Sequence, residues 1–173
     1  MTLQSYSLLL LFVPFVMRGI LCLAYASVAK ELLGDKERQT DAHRSFITSM
    51  AGFSFTALMG LVVVQEVSKH GLLLPIAALT WSFLGYMSAL NLQGYKFTRF
   101  RDQVSDALME SASLALLLAI SLVLWSTDAV SPVKVIVSMA SAFVWLVDYL
   151  IRFSLAQRTF RDRLDAIELT RKE

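Results

Sequence analysis

The sequence predicts an all-α, polytopic integral membrane protein: a bundle of five transmembrane helices whose last helix extends into the cytoplasm. Three observations carry this expectation. Of 173 residues, 56% are hydrophobic and only 17% charged, with a mean hydropathy of +0.59, which leaves too little polar surface for a soluble domain of this length. The apolar residues are gathered into five runs that meet or approach the roughly 20 residues needed to cross a hydrocarbon core about 30 Å thick. The basic residues fall almost entirely in alternate connections between those runs.

The first run spans about 8–29. It is too long for the apolar region of a signal peptide, has no basic leader and no small-residue cleavage site, and is therefore expected to be retained. It contains the chain's single cysteine, Cys22, so no disulfide or cysteine metal site is available within one chain. It also contains Arg18 near its middle. Pro14, Phe15, Leu21 and Cys22 flank that arginine at helical spacing, so any counter-charge must come from another helix.

A charged connection, Gly34–Arg44, leads to the second run, 46–67. The spacing of Arg38 and His43 is found in some helical ribonucleases, but a short charged loop without paired soluble helices makes coincidence the better explanation. Along the second run Gly52, Thr56 and Gly60 recur every four residues, a ladder that lets helix backbones approach closely. Glu66 lies at its outer end. After the short Lys69–Gly71 link comes the third run, 72–92, with Gly85 and Ala89 continuing the small-residue theme and Asn91 near its end.

The next connection, Gly94–Gln103, interleaves basic and aromatic residues around Lys96, Arg99 and Arg101. Topology control with anionic-lipid contact explains it; direct nucleic-acid binding is not expected. The fourth run, 104–125, carries a second small-residue ladder, Ala107, Ser111, Ala115 and Ala119, and an acid, Glu110. The Ser126–Pro132 link then opens the fifth run, 133–153, in which Asp148 precedes Arg152 by four residues, the favourable order for an ion pair on one helical face.

No glycine or proline occurs from Val133 to Glu173, so the fifth helix is expected to continue into the tail. Residues 1–155 thus form the transmembrane bundle and 156–173 a cytoplasmic amphipathic helix. Phe153, Phe160, Leu164 and Ile167 make an apolar stripe on that extension, for which a second copy, a cytoplasmic protein or the lipid surface are the candidate partners.

If the helices alternate in direction, one side of the membrane receives twelve lysines and arginines and the other only Lys69 and Lys134. The positive-inside rule then places the amino terminus outside and the carboxyl terminus in the cytoplasm of a cell membrane, most simply a bacterial inner membrane.

Ionisable groups within spans suggest function by default. Here a structural network is the preferred explanation: Arg18 and Arg152 offset Glu110 and Asp148, and Asn91 adds amide hydrogen bonds. No catalytic residues and no cofactor are expected. His43 and His70 fall on opposite sides of the membrane, which rules out their sharing a metal within one subunit, and no other metal-ligand spacing occurs. The expected function is a non-enzymatic membrane subunit that assembles with itself or a cytoplasmic partner as sensor, anchor or scaffold. A channel or transporter using Arg18, Glu110 and Asp148 is the alternative. An intramembrane enzyme is a third reading without a convincing constellation.

Overall fold

The computed structural model describes residues 8–30, 41–68, 72–92, 98–127 and 130–170. These build an all-helical chain: a 3₁₀ turn, Leu8–Phe12, followed by α1 (Val13–Ala24), α2 (Ala26–Ala29), α3 (Asp41–Ser68), α4 (Leu73–Leu92), α5 (Arg99–Ser126) and α6 (Ser131–Thr170). Four of them, α3 to α6, are long and apolar enough to cross a membrane, whereas Leu8–Ala24 is a shorter apolar helix.

The first apolar run, expected as one helix, is therefore in three pieces. Pro14 stands in the first turn of α1 and has no N–H to give to the preceding turn. The Ser111 hydroxyl of α5 instead donates to the Leu11 carbonyl at 2.7 Å, and Trp81 Nε1 of α4 donates to that hydroxyl at 2.8 Å. Neither glycine nor proline marks the second break, at Tyr25 (φ −120°, ψ 48°). It accompanies a tertiary contact, the Tyr25 ring meeting Phe160 edge-on at 5.9 Å.

Two helices begin earlier than their apolar runs. Residues 41–45 are helical, so His43 lies in α3 and not in a loop. The start of α5 is fixed by Thr98, whose extended backbone and Oγ1, accepting from Arg101 N at 3.4 Å, cap the helix, while Asp102 in the first turn complements its dipole. Pro132 in the first turn of α6 suits a helix start. From there α6 runs uninterrupted for 40 residues, about 60 Å.

The central helix is α5. It packs against α4 on one flank and against α1 and α6 on others, while α3 packs on α4. The fit of α4 on α5 depends on small residues: a Cβ at Gly85 would come 3.0 Å from Ala112 Cβ and 3.3 Å from the Leu108 carbonyl. The ladder Ala107, Ser111, Ala115 and Ala119 is buried along its whole length. The ladder on α3 is not. Its packing seam is Ile47, Ala51 and Ser54, while Gly52, Thr56 and Gly60 face outward, with nothing within 4 Å of a Cβ placed on either glycine. The difference is one of phase, because those three residues lie a quarter-turn or more from the apolar seam that meets α4.

Hydroxyls join the layers at defined depths. Ser54 meets Ser82 across α3 and α4 at 2.9 Å, and Tyr86 of α4 meets Ser113 of α5 at 2.8 Å. Bonds of this type contribute only about 1 kcal/mol net, so they fix register more than they hold the helices together.

The seam of α6 is narrow. Ser138, Ser141, Trp145, Tyr149, Phe153, Ala156, Phe160, Leu164 and Ile167 are covered to varying degrees, and almost everything between them is exposed. The stripe expected on the tail is the continuation of this seam, and its partner is the chain itself: Phe160 is buried among Leu21, Cys22, Val28 and Ala29, with Phe153, Leu164 and Ile167 packed around it. Phe160, Leu164 and Ile167 are thus not a free cytoplasmic docking stripe.

Candidate functional site: a buried arginine with two acids

Arg18 projects from α1 onto one face of α5, where residues 103, 106 and 110 succeed each other at spacings of three and four. It is only 2% exposed. Its Nε donates to Glu110 Oε2 at 3.3 Å and its Nη2 bonds Glu110 Oε1, so the two groups meet fork to fork. Nη1 donates to Asp106 Oδ2 at 3.1 Å and to Gln103 Oε1. The guanidinium is therefore surrounded by two carboxylates and one amide carbonyl.

Around this centre α6 contributes aromatics. Trp145 Nε1 donates to the Glu110 backbone carbonyl at 3.0 Å, and Tyr149 stacks on Trp145 with ring centroids 5.0 Å apart. Tyr149 is 4% exposed, within electrostatic range of Glu110 and Arg18, and its hydroxyl has no hydrogen-bond partner among the described residues. From α3, His43 lies within electrostatic range of Asp106 and Arg152, and its buried Nε2 is likewise unpartnered among the described residues.

Two clefts flank the cluster. One, of about 240 Å³, opens between α5 and α6 and is polar, with Arg99, Asp102, Gln103, Asp106, Arg152 and Thr159 on its walls. The other, about 130 Å³ between α1 and α5, is largely apolar and reaches Arg18, Cys22 and Gln103. Gln103 belongs to both. Among the described residues no group of three or more histidines, cysteines and acids is placed to hold a metal ion.

The structure thus brings Arg18 and Glu110 together but changes the expected network in two places. Asp148 does not reach Arg18; its Oδ2 accepts from Arg152 Nε at 2.8 Å, and the two side chains are 57% and 44% exposed. Helical phase explains this, since the α6 seam passes through Trp145 and Tyr149 and leaves Asp148 on the flank. Asn91 lies exposed near the end of α4, outside the cluster. Of the expected cytoplasmic interaction residues, Arg101 is exposed, Arg99 is buried in the wall of the polar cleft, and Lys96 falls outside the described residues, as does most of Gly34–Arg44.

Asp106 and Gln103 escaped the sequence reading. Their signal was present as helical spacing: 103, 106 and 110 share one face, and Ala107 and Ser111 of the small-residue ladder lie beside them. Hydropathy alone starts α5 at Val104, which puts Gln103 in a loop and Asp106 at the water boundary.

The chain matches no protein-family model, and no curated protein or solved structure is significantly similar to it.

Proposed function

We propose that this chain is a non-enzymatic, multi-pass membrane subunit that assembles with further copies of itself. It crosses the membrane five times, with Leu8–Lys30 as the first crossing. That count rests on register. Leu8 packs against the cluster that contains Leu116 and Ala119, Leu11 meets Ser111, Arg18 meets residues 103–110, and Lys30 shares a cleft with Thr98. The segment therefore runs antiparallel to α5 from Ala119 back to Thr98, about 30 Å of helix at 1.5 Å per residue, which is the thickness of the hydrocarbon core. The basic connections then lie on the cytoplasmic side with the carboxyl terminus.

The observation that carries the assembly reading is the uncovered surface of α6. Only 6% of its membrane-length apolar stretch is buried, against 44% for α5, and the Asp148–Arg152 pair lies on an exposed flank of that same helix. A charge pair facing acyl chains is costly to maintain, whereas a second copy covering Val144, Ile151 and Leu155, which are exposed beside Asp148 on the same flank, would shelter it. The outward ladder Gly52, Thr56 and Gly60 offers a further close-approach surface on α3.

The test is cysteine cross-linking in membranes, in a Cys22→Ala background, with single cysteines from 139 to 151. Self-assembly through α6 predicts cross-linked dimers at 144 and 151 and none at 145 or 149. Uniform absence of cross-links sinks it.

A second reading, a proton or ion pathway, is favoured by one feature: the unpartnered Tyr149 hydroxyl beside a cluster with two carboxylates for one guanidinium. Such an excess of acid is able to carry an exchangeable proton. Liposome flux that disappears in Glu110→Gln and Asp106→Asn would establish this reading; flux equal to that of empty liposomes removes it.

A further inference from the structure

A further cleft lies where α1 breaks into α2, sharing Gly19, Cys22 and Phe100 with the apolar cleft at Arg18. It encloses about 480 Å³. Gly19, Cys22, Ala26 and Ala29 form an almost wholly apolar floor, Phe100 stands at its side, and Lys30 and Thr98 are among its lining residues. The helix breaks at Tyr25, whose ring meets Phe160, and Gly19, Cys22, Ala26 and Ala29 along the cleft are small. A Cβ on Gly19 would meet nothing within 4 Å.

The chemistry of the lining is that of an amphipathic ligand. The surroundings are apolar, with Leu23 at the edge 80% exposed. Lys30 and Thr98 line its polar end, with Arg101 exposed in the adjoining first turn of α5. Among the described residues no acid lines the cleft. On the five-crossing reading this polar end lies at the cytoplasmic boundary, where anionic headgroups sit.

We infer that this cleft is a specific binding site for one phospholipid with an anionic headgroup, its acyl chain lying along Gly19, Cys22 and Ala26 and its phosphate held by Lys30. The inference rests on the membrane reading of the chain. A bound chain also completes the bundle, because it fills the gap between α1, α2 and the start of α5 that no side chain of the described residues occupies.

The test uses the full chain reconstituted in nanodiscs of equimolar phosphatidylglycerol and phosphatidylcholine, then released into detergent for native mass spectrometry. The wild type should retain one phosphatidylglycerol in preference to phosphatidylcholine. Gly19→Phe, which fills the cleft without a backbone clash, should lower retention about tenfold, or roughly 1.4 kcal/mol. Lys30→Gln should keep lipid binding but erase the preference between headgroups; should Gly19→Phe fail to fold, this surface variant decides alone. Equal retention of the two lipids by the wild type overturns the inference, as does undiminished preference in Lys30→Gln. A chain that enters nanodiscs yet retains no lipid defeats this inference only, whereas one that never enters them defeats the membrane reading as well.

Discussion

Arg18 is the residue on which most of the buried polar chemistry converges, and its energetics can be argued from its partners. An arginine at the centre of an isolated apolar helix costs at least roughly 2.5 kcal/mol on insertion scales, and α1 offers it no acid. Glu110, Asp106 and Gln103 supply what α1 lacks. Removing one member of a buried pair typically costs about 3–5 kcal/mol, because the other charge is left uncompensated. Arg18→Met should therefore destabilise the chain by about that amount, since two carboxylates then face each other without a cation. Adding Glu110→Gln to Arg18→Met should restore more than half of the loss, as read by thermal unfolding in detergent micelles. A double variant no more stable than Arg18→Met would show that the two groups are not coupled. Asp148→Asn provides the contrast. Its pair with Arg152 is exposed, so it should cost less than about 0.5 kcal/mol in a solubilised monomer.

At this scale the sequence was partly legible. That Arg18 needed an acid from another helix follows from its neighbours alone, and Glu110 was placed at a suitable height. Choosing between Glu110 and Asp148 required rotation about each helix axis, and hydropathy reports position along an axis but says little about phase. Asp106 was hidden for a different reason. A helix boundary drawn where hydropathy rises comes too late when capping by Thr98 starts the helix five residues earlier.

The elements repeat this lesson. Long apolar helices can be read from composition and length, and α6 could be expected to run unbroken because nothing in it stops a helix. The break at Tyr25 could not, because a tertiary contact with Phe160 accompanies it and no local signal announces it. That contact also decides what the tail does. Phe160 is buried between α1 and α2, and truncating a buried phenylalanine to alanine costs about 3–5 kcal/mol when the site cannot collapse. Phe160→Ala should release residues 156–170 from the chain and expose Arg158, Arg161 and Arg163 to trypsin, with cleavage at least several-fold faster than in the wild type. Unchanged cleavage would mean the tail is held by something other than this contact. The glycines separate two roles in the same way. Gly85→Val should destabilise the folded chain, since its Cβ already meets Ala112 Cβ at 3.0 Å, while Gly52→Val has open space and should leave the monomer unaffected. If Gly52→Val nevertheless weakens association between copies, the α3 ladder is an interface; equal melting temperatures for the two variants would refute the packing argument for α4 on α5.

Across the whole molecule, coverage is uneven. α5 is enclosed by α1, α4 and α6, whereas α3 and α6 each meet the bundle along one seam. A monomer built this way offers lipid, or another copy, two broad apolar faces. Its topology turns on Leu8–Lys30, which hydropathy alone reads as a span and which a length criterion for one continuous helix excludes. The proposed span has the length it needs: five residues of 3₁₀ helix at about 2.0 Å and twelve of α-helix at about 1.5 Å extend about 28 Å, and the segment runs along α5. The freed carbonyl at Pro14 is met by Ser111, as a buried backbone group in hydrocarbon requires. Five crossings put the termini on opposite sides of the membrane, and four put them on the same side. Reporter domains that are active on only one side, fused in turn to each end of the chain, should therefore give opposite signals, with the carboxyl-terminal fusion cytoplasmic. Matching signals would return the first segment to the membrane surface. In that event Arg18 would reach its acids from an interfacial helix, and the register along α5 would have to be reconciled with a bundle of four crossings.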